Sequence, residues 1–206
     1  MMILPKHLWL LVGLLLTAIG SFGCSGPQRV AGPEFDSEGA AAQAMELYDS
    51  NSDGVLNEQE LKASGALQNA LAEMDTNSDG ELSEEEIRNR VDYFVQGRDG
   101  RISLMCRVVK GSSPVPGATV TFVPEPFMES MIESAAGQTN PNGEAIINID
   151  DQFGGIQPGF YKVKISRKSA SGKESIKAKF NEETILGQEI TSGSIALSQG
   201  LVFRVN

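Results

Sequence analysis

The sequence predicts an α+β protein with two domains, a short helical pair followed by an antiparallel β-sandwich. Three observations support this fold class. An acidic segment of twelve residues occurs twice, and apolar residues at helical spacing flank each copy. From Arg101 onward, apolar and polar residues alternate as they do in strands with one buried face. Clusters of Gly, Pro, Asn and Ser divide that second half into short segments, as turns do.

The amino-terminal segment predicts export. Lys6 and His7 precede an apolar run over residues 8–19, which is too short to span a bilayer and is typical of a signal peptide ending at residue 23. Residues 20–24, ending in Gly-Cys24, resemble the lipobox of bacterial lipoproteins, which implies acylation of Cys24 and a membrane anchor. The alternative is ordinary cleavage after Gly20, which would release a soluble secreted or periplasmic protein.

Residues 24–39 are rich in Gly and Pro and predict a flexible tether ahead of the folded domains. The formal net charge is −10, and residues 36–92 alone hold 15 acidic and 3 basic side chains. Such a segment repels nucleic acid and anionic lipid and attracts multivalent cations. We therefore expect a metal partner and no nucleic-acid partner for the helical domain over residues 40–97.

The repeated segments are residues 49–60 and 75–86, and eight of their twelve positions are identical. Both match the EF-hand loop D-x-[DN]-x-[DN]-G-x5-E, in which oxygen atoms surround a calcium ion and a glutamate at the twelfth position closes the shell. A large flexible shell with a bidentate glutamate favours Ca²⁺ over Mg²⁺. The predicted ligands of two calcium ions are Asp49, Asn51, Asp53, Val55, Asn57 and Glu60 in the first loop and Asp75, Asn77, Asp79, Glu81, Ser83 and Glu86 in the second.

Other positions of the repeat have structural roles. Gly54 and Gly80 are expected at positive φ, and Leu56 and Leu82 are expected to face each other across a short antiparallel bridge. Only residues 61–74 separate the loops, and one unbroken helix there would hold them roughly 21 Å apart. We therefore expect a break at Ser64-Gly65 and a short helix over residues 66–74.

The second half predicts seven short strands, at residues 102–109, 118–123, 144–149, 160–166, 175–180, 184–190 and 201–205. Turns rich in Gly, Pro and Asn lie between them, which is typical of an antiparallel sandwich. Cys106 is expected to be a buried strand residue. Lysines and arginines over residues 162–179 provide either a solvated face or a docking face for the acidic domain or an anionic glycan.

Residues 111–122, 139–145 and 159–165 carry the sequences GSSPVPGATVTF, TNPNGEA and GFYKVKI. They resemble the carboxypeptidase regulatory-like, or transthyretin-like, domain, a prealbumin or immunoglobulin-like sandwich that would cover residues 101–206. Residues 127–137 resemble an insertion relative to that family. Leader, repeat and sandwich together are similar to envelope lipoproteins of planctomycete type. The resemblance implies a non-catalytic accessory or adhesion module with an envelope protein or glycan partner.

Catalysis is not expected, because the single histidine, His7, lies in the leader. The mature chain would lack the commonest general base, and no Gly-rich phosphate loop follows a strand. The sequence favours a lipid-anchored calcium-binding protein of the cell envelope with a structural or adhesion role. The alternative is a dockerin-like module in a soluble secreted protein, in which the helical pair itself binds a protein partner when loaded with calcium.

Overall fold

The structure is a computed structural model that describes residues 32–97, 100–151 and 154–206, with the backbone alone at residues 195 and 196. The predicted leader, Cys24 and the first part of the tether lie outside the described residues. Within the described ranges, no helix combines the length and the apolar character needed to cross a bilayer.

The chain is α+β, as predicted. The helices are α1 Ser37–Tyr48, α2 Glu58–Leu61, α3 Gly65–Met74, α4 Glu84–Gly97 and α5 Ile195–Gln199, and 3-10 turns lie at Pro126–Met128 and Ala178–Phe180. Helix α1 begins inside the segment predicted as tether. Asp36 determines this start, because its carboxylate accepts a hydrogen bond of 2.9 Å from the backbone N–H of Gly39.

The predicted break between the loops is confirmed. Helix α2 ends after a single turn, and Ser64 is the N-cap of α3, whose first residue is Gly65. The Ser64 hydroxyl accepts a hydrogen bond from the N–H of Leu67 at 3.3 Å. The break folds the chain back, which allows the two loops to lie side by side.

The strands form one small ladder and two larger sheets. They are β1 Val55–Leu56, β2 Leu82–Ser83, β3 Leu104–Lys110, β4 Ser113–Pro114, β5 Thr119–Pro124, β6 Ala135–Gln138, β7 Glu144–Ile147, β8 Gly159–Ser166, β9 Gly187–Ile190 and β10 Leu201–Arg204. Strand β1 lies within the first repeated segment and pairs with β2, which lies within the second. In one sheet β3 pairs with β10, β4 and β7, and the other has the order β6-β5-β8-β9.

Two expectations for the second half are wrong, the strand at residues 175–180 and the antiparallel direction of the last strand. Residues 175–180 are not a strand, because the backbone closes on itself in the 3-10 turn, where Asn181 N–H donates to Ala178 C=O at 2.9 Å. Strand β6 was not predicted, because its alanines and glycine have low strand propensity; it begins inside the segment predicted as an insertion and pairs with β5. Strand β10 is parallel to β3, because the segment containing α5 carries the chain from the edge of one sheet to the other sheet.

One continuous apolar core joins the helices to the sheets. Phe94 of α4 lies 5.4 Å from Phe160 of β8 between ring centroids, and Tyr48 of α1 meets Phe127 edge-on at 6.3 Å. Cys106 is buried in β3 as expected, and burial raises the pKa of its thiol to about 12. The helical segment therefore packs through aromatic side chains on strand β8 and on the 3-10 turn that follows β5.

This packing predicts the effect of Phe94→Ala. Phe94 is 3% exposed, so its loss leaves a cavity beside Phe160 and should lower the free energy of unfolding by about 3 to 5 kcal/mol. The matched control is Val95→Ala, because Val95 is the next residue of α4 and is 50% exposed. Urea denaturation of both variants measures the difference, and equal losses would contradict the packing described.

Candidate metal centre

Three carboxylates converge in the first loop, residues 49–60. One carboxylate oxygen from each of Asp49, Asp53 and Glu60 lies within 4.8 Å of the others. Asp49 follows the end of α1, and Glu60 lies in the single turn of α2, so the two helices bring the ends of the loop together. The structure thus gathers three of the predicted ligands around one point.

Backbone N–H groups hold these side chains in place. The Asp49 carboxylate accepts from the N–H of Asp53 at 3.3 Å and of Gly54 at 3.0 Å. Asn51 accepts through Oδ1 from the N–H of Asp53 at 2.9 Å, and its Nδ2 donates to Asp53 Oδ2 at 2.8 Å. Asp53 Oδ1 in turn accepts from the N–H of Val55 at 3.1 Å. The N–H groups partly offset the negative charge that the carboxylates concentrate.

The second loop, residues 75–86, repeats this framework. The Asp75 carboxylate accepts from the N–H of Asp79 at 3.2 Å and of Gly80 at 2.8 Å. Asn77 Oδ1 accepts from the N–H of Asp79 at 2.9 Å, and Asn77 Nδ2 donates to Asp79 Oδ2 at 2.7 Å. Asp79 Oδ1 accepts from the N–H of Glu81 at 2.9 Å. These hydrogen bonds have direct counterparts in the first loop, but the Ser78 N–H also donates to Asp75 Oδ1 at 2.6 Å, and among the described residues the cluster of three carboxylates is found in the first loop alone.

The glutamate at the twelfth position is fixed by the residue at the second. Glu60 Oε1 accepts from the N–H and the hydroxyl of Ser50, both at 2.9 Å. Glu86 Oε1 accepts from the N–H of Thr76 at 2.9 Å and from its hydroxyl at 3.0 Å. The sequence interpretation missed these hydroxyls, although both copies of the repeat carry one at this position.

Hydrogen bonds lower the pKa of both glutamates and so favour their ionised forms. The N–H of Asn57 and then the groups of Ser50 and Asn51 lower the pKa of Glu60. Burial raises the pKa of Glu86, but hydrogen bonds from Ser83 and Thr76 outweigh burial and lower it overall. A metal ligand must be deprotonated, so the local structure favours the form that binds a cation.

At the ninth position the side chains cap the following helix. Asn57 Oδ1 accepts from the N–H of Glu60 at 3.3 Å, and Ser83 Oγ accepts from the N–H of Glu86 at the same distance. The predicted carbonyl ligands lie at the short ladder: Val55 is in β1 opposite Ser83, and Glu81 directly precedes β2. The ladder also pairs Leu56 with Leu82, as predicted, and both are fully buried.

Both loops turn through left-handed backbone positions. Gly54 and Gly80 have φ of 88° and 85°, which confirms the expectation for the sixth position. Ser52 and Ser78 at the fourth position also have positive φ, at 60° and 62°, which the sequence did not predict. A Cβ at Gly54 or Gly80 would meet no atom within 4 Å, so backbone conformation alone favours glycine there.

Two glutamates in or next to the sheets contact this helical segment, and the sequence interpretation missed both. Glu125 follows β5 and accepts from the Tyr48 hydroxyl at 3.0 Å, and Glu189 of β9 pairs with Arg90 of α4 at 2.6 Å. Burial, followed by the charge of Glu125, raises the pKa of Tyr48. In the ion pair between Arg90 and Glu189, the base belongs to the helical segment and the acid to the sheet. The docking alternative considered from the sequence has the opposite arrangement, with basic residues on the sheet.

The donor set of both loops fits calcium. Every predicted ligand offers an oxygen atom from a carboxylate, amide, hydroxyl or backbone carbonyl, and these are the groups that a hard cation prefers. Ionised glutamates supply the final position of each loop. The residues present therefore match the chemistry of the ion that the repeat predicts.

Comparison with known families matches residues 67–91 to the family described as EF hand. The matched segment contains most of α3, the second loop and the first half of α4. No curated protein and no solved structure matches the chain. The match supports an EF-hand interpretation of the second loop, the acidic cluster lies in the first, and together they indicate calcium binding.

The positive φ at the sixth position of the loop predicts that different substitutions of Gly54 weaken calcium binding to different extents. Gly54→Ala should cost roughly 1 to 2 kcal/mol of loop free energy, because a Cβ disfavours positive φ, and should weaken calcium binding by about 5- to 30-fold. Gly54→Asn should weaken binding less, because asparagine tolerates this conformation. Calorimetric titration measures the dissociation constants, and an order in which Asn is worse than Ala would contradict the argument.

Proposed function

We propose that this protein binds two calcium ions, one in residues 49–60 and one in residues 75–86, and that the ions mainly stabilise its structure. The observation that carries the proposal is the matching hydrogen-bond framework of the two loops. The second loop has the family match and the first has the cluster of carboxylates, so each loop supports the interpretation of the other.

In each site, the residues at positions one, three and five would supply side-chain oxygens and the twelfth would supply two. The seventh would supply its backbone carbonyl. The ninth would act through a water molecule, which agrees with side chains of Asn57 and Ser83 that cap the following helices. Two ions would offset part of the negative charge that residues 36–92 concentrate.

The packing of the helices supports a structural role over a dockerin-like one. Phe94 and Tyr48 contact aromatic side chains of the same chain, so these apolar groups are already covered. A docking module would instead need them available to a partner. The calcium-dependent docking of a soluble secreted protein is therefore the weaker candidate.

We further propose that the protein is exported, lipid-anchored through Cys24 and located in the cell envelope. The leader and its likeness to a lipobox support this location. The two sheets and the turns between them support a transthyretin-like sandwich over residues 101–206. The resemblance to that family implies a non-catalytic adhesion role toward an envelope protein or glycan. Mass spectrometry of the mature protein tests the anchor, because cleavage after Gly20 without an acyl group would contradict it.

Calorimetric titration with Ca²⁺ tests the two sites. The wild-type chain should bind two ions, and Glu60→Gln and Glu86→Gln should each leave one, because each removes the bidentate charge from one site. Mg²⁺ should bind more weakly, since it demands a tighter octahedral shell.

Matched controls are Glu58→Gln and Glu85→Gln. These glutamates lie in the same helical turns, but their side chains are 80% and 74% exposed and pair with the surface cations Lys62 and Arg88. Both control variants should retain two ions. The proposed function would be overturned if the wild-type chain bound no calcium. It would also be overturned if either control variant lost a site.

A further inference from the structure

A buried carboxylate of the sheets joins the two sides of the first loop. Glu125 is 0% exposed and accepts from the hydroxyl of Tyr48 at 3.0 Å and from that of Ser64 at 2.7 Å. Tyr48 is the last residue of α1, directly before the first loop, and Ser64 lies three residues after α2, which follows that loop. A single carboxylate therefore contacts the chain on both sides of loop one.

A second buried carboxylate has the same relation to the second loop. Glu189 is 6% exposed and receives two hydrogen bonds from Arg90, at 2.6 Å from Nε and 2.9 Å from a terminal nitrogen. That terminal nitrogen also donates to Glu73 at 2.6 Å. Glu73 belongs to α3, which enters loop two, and Arg90 belongs to α4, which leaves it. Through this arginine, one carboxylate of the sheet is linked to both helices of loop two.

We propose that Glu125 and Glu189 are positioning residues, each of which holds the helices flanking its own loop in the arrangement that binds calcium. The inference rests on the two-site function proposed above and adds that the sheets determine the affinity of each site separately. Glu125 acts on loop one and Glu189 on loop two.

Burial makes both glutamates depend on their partners. An ionised carboxylate removed from water is strongly unfavourable unless its partners are in place. Both glutamates have their partners here, Lys162 lies 3.5 Å from Glu125, and no buried side-chain nitrogen or oxygen of the described residues lacks a hydrogen-bond partner. Moving α1 away from Ser64 would take a hydroxyl from Glu125, and moving α4 away from β9 would take Arg90 from Glu189 and break its link to Glu73 of α3. The helix positions are therefore held by the need to satisfy a buried charge.

Helix position in turn determines the geometry of the ligands. The first ligand of each loop follows the entering helix, and the twelfth lies in the first turn of the exit helix. The ion is fully coordinated only when both ends of the loop close on it. A contact that favours the closed arrangement raises calcium affinity. Because coupling between two equilibria is reciprocal, calcium binding strengthens that contact by the same factor.

The two carboxylates serve as controls for each other in the full-length chain. Calcium affinity is measured by calorimetry in Glu86→Gln, which reports loop one, and in Glu60→Gln, which reports loop two. Adding Glu125→Gln should weaken loop one by about five-fold or more and change loop two by much less. Adding Glu189→Gln should give the reverse pattern.

A second readout separates positioning from general stabilisation. Melting temperatures are measured with chelator and with saturating calcium. Loss of positioning reduces the increase in melting temperature that calcium produces, whereas loss of fold stability alone lowers both temperatures together. Glu129→Gln is the control for charge removal, because Glu129 is exposed and lies four residues after Glu125. It should leave both affinities unchanged.

Each outcome decides the matter. Equal weakening of both loops by each variant, or no change, overturns the inference while the two-site function stands. If Glu60→Gln and Glu86→Gln do not each bind one calcium ion, the two-site function is overturned, and the inference falls with it. If Glu125→Gln does not fold, Tyr48→Phe is measured instead, because it removes one hydrogen bond to Glu125 and keeps the ring beside Phe127.

Discussion

Negatively charged carboxylates are held close together in loop one, and the neighbouring part of the helical segment is arranged around that requirement. In loop one, Asp49, Asp53 and Glu60 present oxygens within 4.8 Å of one another. Backbone N–H groups turn inward to meet them, which requires the left-handed conformations at Ser52 and Gly54. The last carboxylate comes from a helix, so the loop also determines where α2 begins.

These helices are too short to be stable alone, and the sheets supply what they lack. Helix α2 has 4 residues and α3 has 10, whereas isolated helices below about 12 to 15 residues are marginal in water. Helix α3 lies directly on β9 because Gly65 and Gly187 have no side chains, and a Cβ on Gly65 would lie 2.6 Å from the carbonyl oxygen of Ile185. Asn69 Nδ2 donates to the carbonyl of Gly187 at 2.7 Å, so α3 also covers the free edge of β9.

The loops could be predicted from the sequence because their chemistry is local. The spacing of the repeat fixes the role of Gly54 and the pairing of Leu56 with Leu82, and the break at Ser64 follows from a capping residue before glycine. Contacts between distant segments could not be predicted. Glu125 meets Tyr48 across 77 residues, and no spacing rule connects them. The same limit explains β10, whose parallel direction depends on the path of the preceding segment rather than on its own alternation.

The contacts between helices and sheets determine what calcium can do under the proposed function. A calcium sensor changes the angle between its helices and exposes an apolar groove. Here such a change would separate Phe94 from Phe160 and remove Arg90 from Glu189, and leaving a buried charge without its partner costs about 3 to 5 kcal/mol. Coupling energies between sites are typically about 1 to 3 kcal/mol, which is too small to offset both losses. Calcium binding would therefore reinforce the single arrangement in which the helices pack on the sheets.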